Sequence, residues 1–439
     1  MKDSATYVAG NSVRFEKFSK WTKLIAVTFS AQAIIQLLGL FTGILIVRLL
    51  PTTEYAFYTL ANTMLGTMTV LADGGISTGV MAQGGKVWQD RTKLGVVVAT
   101  GLKLRQKFGI VSLLLFMPVL FYMLHSHGAS IMVGLVIVVS VIPSFFAALS
   151  DNLLEISSKL HQGINKLQKN QLSAAVGRFI MMTGSLFFLP WTFIAILGNG
   201  IPRMWANMQL RKISAEYADP KQVSDPVIER DILAIVKRTL PGAIYYCVSG
   251  QITVWLISIF GSTQAVAHIG ALGRLSTVLT IFTTLFNTLV IPRFARLQED
   301  KKLILSRFLQ IQGAQILISV VIVAIVILFP NQILMVLGKQ YANLTTEVIL
   351  ISISSCLAMI LGVTYSAITA RGWILKPVLN IAINILFQLI LILTMDLSKT
   401  KNVLMFSIVD FIVSYIILII FFFYQVTRIK PATVNEAAI

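Results

Sequence analysis

Ile316–Phe329 reads ILISVVIVAIVILF, a run with one serine and no charge. Phe411–Tyr424 reads FIVSYIILIIFFFY and is equally apolar. A helix needs about 20 mostly apolar residues to cross the roughly 30 Å hydrocarbon core of a bilayer. Extending each run to its first polar cluster gives spans 306–329 and 403–424, close to that length. The same reading, carried outward along the chain, places spans near 24–47, 56–80, 104–125, 129–151, 171–190, 191–210, 240–260, 264–291, 345–370 and 377–395. Barrel strands would instead alternate over about ten residues. The expected fold class is therefore an all-α polytopic membrane protein with about 12 transmembrane helices.

Composition agrees. Of 439 residues, 56% are hydrophobic and 12% charged, against about 25% charged in soluble domains. A net charge of +18 would indicate nucleic acid for a soluble chain, but here the basic residues lie between apolar runs, and no RNP or zinc-finger pattern accompanies them. The expected partners of these residues are anionic membrane lipids, not nucleic acid. Cys247 and Cys356 both fall in apolar runs and provide neither a disulfide framework nor a metal-ligand spacing.

The positions of Lys and Arg test the span count. With residues 1–23 on the cytoplasmic side, 29 of the 36 basic residues fall in cytoplasmic segments. Arg48, Lys339, Lys399 and Lys401 fall outside, and Arg178, Arg203 and Arg274 within spans. One miscounted span would reverse every later loop, so this bias favours twelve spans with both termini cytoplasmic. The first apolar stretch runs on to Val47, too long for a cleavable signal, and is read as a retained span. The longest polar insertion, with Asp219-Pro220 and Asp225-Pro226 as non-helical joints, divides the chain into a six-helix lobe (1–210), a cytoplasmic linker (211–239) and a second six-helix lobe (240–439). Gly84–Lys107 reads as an interfacial helix leading into span three. A faint internal repeat lays Ala56–Thr67 over Ala267–Val278, as in two-lobed transporters.

Charges within hydrocarbon are costly and mark functional positions. Arg274 lies too deep to snorkel and reads either as an anion ligand in a wet cavity or as a structural partner of Asp73 or Asp410. Arg203 follows Gly198-Asn-Gly-Ile-Pro202, a sequence able to open a helix, and Arg178 has Gly177 beside it. A guanidinium matches paired phosphate or carboxylate oxygens better than an ammonium does, so substrate binding falls to Arg274, Arg203 and Arg178. Asp73, in LADGGISTG, and Asp410 are candidates for coupling or gating. Arg48 is expected to snorkel to headgroups, and Asp151 and Glu155 to sit at the interface near Lys159. Asn62, Asn207, Asn287 and Gln251 are dispersed polar groups of the kind that contact sugars. HExxH, GxSxG and Walker A patterns are absent, so neither an enzyme nor a cofactor or metal is expected; His125 and His127 lack a third ligand.

Three stretches carry a family resemblance: RLLPTTEYAFYTLANTMLGTMTVLADGGISTGV (Arg48–Val80), AHIGALGRLSTVLTIFTTLFNTLVIPRFARL (Ala267–Leu297) and TARGWILKPVLNIAIN around Arg371. In these the chain resembles the bacterial polysaccharide-transport family of lipid-linked oligosaccharide flippases, within the multidrug/oligosaccharidyl-lipid/polysaccharide exporter superfamily. The resemblance implies a V-shaped pair of lobes working by alternating access in the bacterial cytoplasmic (inner) membrane. It implies an undecaprenyl-diphosphate-linked oligosaccharide as cargo, moved to the periplasmic leaflet for O-antigen or other polysaccharide biosynthesis. The arginines would then be phosphate or sugar contacts and Asp73 a gating or coupling partner, with a coupling ion as a further partner, in a protein acting as a monomer. The alternatives are an exporter of small cationic compounds, a peptidoglycan-precursor flippase and, from another class, a membrane-embedded transferase.

Overall fold

The computed structural model describes residues 30–429, apart from 162, 296, 372, 374 and 376. Twelve helical passes account for nearly all of it. The first six are α1 (Ser30–Leu49), α2 (Thr52–Asp73) continuing as α3 (Ile76–Val87), α4 (Arg91–Ser126), α5 (Ile131–Leu160), α6 (Ile164–Phe188) and α7 (Thr192–Tyr217). Pass seven is α8 (Pro226–Gly250) with α9 (Ile252–Phe260). Pass eight is α10 (Thr263–Leu275), α11 (Thr277–Leu285), a π-helical turn (Phe286–Val290) and α12 (Ile291–Ala295). The last four are α13 (Lys301–Leu328), α15 (Thr345–Ala370), α16 (Pro377–Thr394) and α17 (Thr400–Arg428), with the short α14 (Pro330–Leu337) between passes nine and ten.

Seven of these passes are long and apolar enough to cross a membrane on composition alone: α1, α4, α5, α10–α11, α13, α15 and α17. Of the other five, α16 is apolar but short and four carry more polar residues, and all five line the cavities described below. Two local expectations change. Asp90 caps α4 by accepting from the Thr92 and Lys93 amides at 3.0 and 3.1 Å, so a single 36-residue helix takes up both the basic segment and pass three. The segment 211–239 is mostly helical, because α7 runs to Tyr217 and α8 begins at Pro226. Only residues 218–225 leave helical geometry, at the two Asp-Pro steps.

Two ends of the bundle differ. At one end a single apolar cluster draws on both halves of the chain, including Leu50, Leu60, Leu124, Leu272, Leu334 and Phe406. Polar bonds cross there as well: Gln340 Nε2 donates to the Val47 carbonyl, and the Thr263 hydroxyl to that of His127. The opposite end carries most of the lysines, and there the core divides. Phe294, Phe308 and Phe422 form one cluster, with the rings of Phe308 and Phe422 stacked at 3.7 Å. Ile76, Leu104, Leu153, Ile232 and Val236 form another, so α8 leans on the first half of the chain. The molecule is thus closed at one end and parted at its basic end.

The break between α2 and α3 rests on Gly74 and Gly75, whose φ values of +49° and +99° suit glycine alone among common residues. The Thr239 hydroxyl of α8 donates to the Gly74 carbonyl at 3.2 Å and fills the space a Gly75 Cβ would need.

Candidate functional site

Three adjoining chambers lie among the helices. The largest, about 620 Å³, lies within the first half and is lined by Asn62, Asp151, Asn170, Arg178, Asn199 and Arg203 among others. A second, about 300 Å³, shares Asn62 with it and contains Arg274. A third, about 390 Å³, shares Gly250, Ala358 and Phe411 with the second and contains Asp410. The three arginines singled out by sequence therefore line adjoining walls. Arg178 also lies within electrostatic reach of Arg203, Arg274 and Tyr58.

Their partners differ. Arg203 Nε donates to Asp151 Oδ2 at 2.8 Å, and Asn207 Nδ2 donates to the other carboxylate oxygen at 2.6 Å. Asp151 thus pairs with Arg203 on the wall of the first chamber, not with Lys159. Glu155, by contrast, does pair with Lys159 at 2.8 Å. Arg178 Nη1 reaches Asn199 Oδ1 at 3.5 Å, a marginal bond, and its Nε has no hydrogen-bond partner among the described residues. Arg274 Nε donates to the Tyr55 hydroxyl at 3.2 Å, and its guanidinium lies 5.7 Å from the Tyr58 ring centre. Among the described residues neither Arg178 nor Arg274 has a carboxylate within salt-bridge distance. Arg274 thus pairs with neither Asp73 nor Asp410.

Local structure explains these placements. Gly200 and Gly198 do not open α7, which stays helical through Pro202. A Cβ at Gly200 would collide with the Ser144 side chain of α5, so the glycine serves close approach of the two helices. This contact holds Arg203 opposite Asp151. Gly43 of α1 does the same for Arg274, whose Cδ would lie 3.0 Å from a Cβ there.

Asp73 lines none of the three chambers. Its Oδ1 accepts from the Ser77 amide and hydroxyl at 3.2 and 2.6 Å and faces Arg105 Nη2 at 3.3 Å. Its partner is thus an arginine grouped by sequence with the cytoplasmic loops, yet Arg105 is 1% exposed. A helical signal was available: Leu94, Val98, Gly101 and Arg105 fall on one stripe of α4, all buried. Asp410 accepts from Gln388 Nε2 at 3.1 and 3.2 Å, with Asn380, Asn384 and Ser414 beside it in the third chamber. Arg48 is exposed, and its Nε and Nη2 donate to the Val336 and Met335 carbonyls at the end of α14. Asn62 and Gln251 line the first chamber, whereas Asn207 is occupied by Ala147, Ser150 and Asp151, and Asn287 lines no chamber described here. His125 and His127 bond to backbone carbonyls, and among the described residues no cluster of three metal-ligating side chains occurs.

Arg274 lies in a chamber without carboxylates, and Arg178 shares its chamber with Asp151 and Glu155 but pairs with neither; both guanidiniums are incompletely compensated, and an entering anion would supply the missing partner. The amides around them offer neutral donors and acceptors for a polyhydroxylated group.

Comparison with solved structures places the fold. The chain is similar to a multidrug resistance MATE family transporter of the MOP superfamily in its inward-facing conformation, with TM-score 0.70, 13% identity and coverage of 90% of this chain and 95% of that one. Against an outward-facing structure of such a transporter the TM-score is 0.58, at 12% identity over 93% and 96% of the two chains. A MOP superfamily transporter from Pyrococcus furiosus, described by the reverse polarity of its binding pocket, gives 0.56 at 12% identity over 92% and 94%. No protein-family model matches the chain, and no curated protein matches it. The fold is that of these transporters, seen with the basic end parted.

Proposed function

We propose that the chain is a flippase that carries an undecaprenyl-diphosphate-linked oligosaccharide from the cytoplasmic to the periplasmic leaflet of a bacterial inner membrane by alternating access. The observation that carries this reading is the pair of carboxylate-free guanidiniums, Arg178 and Arg274, on adjoining cavity walls. On this reading they hold the diphosphate, the amide-lined first chamber holds sugars, and Arg203 with Asp151 orders that chamber. The basic end faces the cytoplasm, where such cargo would be loaded. Asp410 serves as the coupling group. Asp73, which lines none of the cavities, acts on the Gly74–Gly75 break and gates.

A second reading, export of small cationic compounds, is favoured by one feature: Asp410 in its own chamber, on a fold shared with multidrug transporters. Reconstitution separates the two. Wild type should move a fluorescent lipid-linked oligosaccharide between leaflets, and Arg274→Ala should slow this at least tenfold, the loss expected for one charged hydrogen bond of about 1.5–3 kcal/mol. Undiminished flipping by the variant would overturn the role of Arg274. Transport of a cationic dye, with no flipping by wild type, would establish the second reading.

A further inference from the structure

The cavity holding Arg274 has a back wall one hydrogen bond thick. α10 ends at Leu275 and α11 starts at Thr277, and at the break the Ser276 hydroxyl meets that of Ser355 in α15 at 2.6 Å. Beyond this pair lies a groove of about 330 Å³ between α11, α13, α14 and α15. Its lining is almost wholly apolar: Val278, Leu279, Phe282, Ile325 and Ile333 are representative, and its polar side chains are serines. Ser276, Ile351 and Ser355 line both the groove and the arginine chamber. A guanidinium recess and an apolar groove thus stand back to back across one wall.

Building on the anionic-cargo reading, we infer that this groove seats the first isoprenyl units of a polyprenyl diphosphate whose phosphates reach Arg274. The occupant follows from the paired chemistry. An anionic head needs the recess, a methyl-branched, charge-free tail needs the groove, and the two must be covalently continuous over the width of one helix break. Bilayer lipid is as apolar as the groove, so the groove contributes position and not bulk affinity. It fixes which side of pass eight the tail occupies while the head is bound. The Ser276–Ser355 pair is the partition that the head-to-tail linkage crosses; its 2.6 Å hydrogen bond closes the wall here, and the linkage passes when that one bond opens.

The test uses the full chain in lipid nanodiscs with a diazirine-tagged polyprenyl diphosphate, followed by peptide mapping. Label is expected on 278–282 and 322–326, with excess inorganic diphosphate and Arg274→Ala each reducing it. The double variant Val278→Trp, Ile325→Trp fills the groove at positions 40% and 49% exposed, which a larger side chain tolerates. It should lose the label on these peptides and keep diphosphate competition at the remaining sites. If diphosphate competes but label maps elsewhere, or survives the tryptophans, the groove inference fails and the anionic-cargo reading stands. If neither diphosphate nor Arg274→Ala affects labelling, the anionic-cargo reading itself fails. Equal labelling of the groove by a diazirine phosphatidylglycerol would mark it as a site for ordinary bilayer lipid and overturn the inference.

Discussion

Arg203 and Asp151 share one ion pair, but the cost of losing either should be unequal. Arg203 is 40% exposed to the cavity and can be hydrated if Asp151 is removed, whereas Asp151 is 19% exposed and would keep only Asn207. Arg203→Ala should therefore lower stability by about 1–3 kcal/mol and Asp151→Ala by about 1 kcal/mol or less. Thermal unfolding of both and of the double variant should return a coupling energy of about 0.5–3 kcal/mol. At the hinge, Gly75→Ala should cost a further ~1–3 kcal/mol, since φ of +99° is strained for alanine and its Cβ meets Thr239. A Gly75→Ala variant with unchanged melting temperature would remove that argument. At this scale the sequence was partly legible. Isolated guanidiniums in apolar runs stand out in any hydropathy reading, so Arg178, Arg203 and Arg274 were found. Asp151 and Arg105 were not, because each lies beside other polar residues in sequence and its burial depends on which helix packs opposite.

Among the elements, the connection 218–225 is held by short-range carboxylate bonds. Asp219 accepts from the Gln222 side chain at 2.6 Å and from the Lys221 amide at 3.1 Å, and these bonds hold its carboxyl below the usual range. A carboxyl with a depressed folded value adds stability above its unfolded pKa of about 3.9 and loses it as pH falls through the folded value. Exchange protection of the Lys221 amide should therefore be flat from about pH 6 to 8 and fall as the pH is lowered below about 4. Protection that fell between pH 8 and 6 instead would contradict the assignment. Element positions were readable because span length is set by the bilayer and the charge bias checks the count. The helix through 91–107 was legible, whereas the continuation through 211–217 was not, because polar composition alone does not separate loop from helix. Residues 91–107 and 211–217 continue helices, since Asp90 supplies a cap and no proline interrupts before Pro220.

Across the whole molecule, the alternating access proposed above requires the closed end to part. Cross-linking cysteines placed at 127 and 263, with Cys247 and Cys356 replaced, should stop flipping, while a monofunctional thiol reagent should not. Flipping that continued through the cross-link would rule out separation of these helices. The repeat has a physical counterpart here. Thr59 of α2 and Gly270 of α10 occupy equivalent places when Ala56–Thr67 is laid over Ala267–Val278, and these two residues pack directly together. The equivalent of Arg274 is then Thr63, so nearly matching helices carry charge on one side only. The four passes too polar to qualify as spans by themselves have a consequence for biogenesis. An arginine at mid-helix costs about 2.5 kcal/mol or more on insertion scales, and α6 and α7 each contain one. Joined by the short turn 189–191, the two are expected to leave the translocon together as a hairpin, each sheltering the other's polar face from lipid. Made singly, with a glycosylation tag to report its side of the membrane, either helix should insert poorly, and the pair well. The groups that equip the cavity for cargo would then also dictate the order in which the protein can be built.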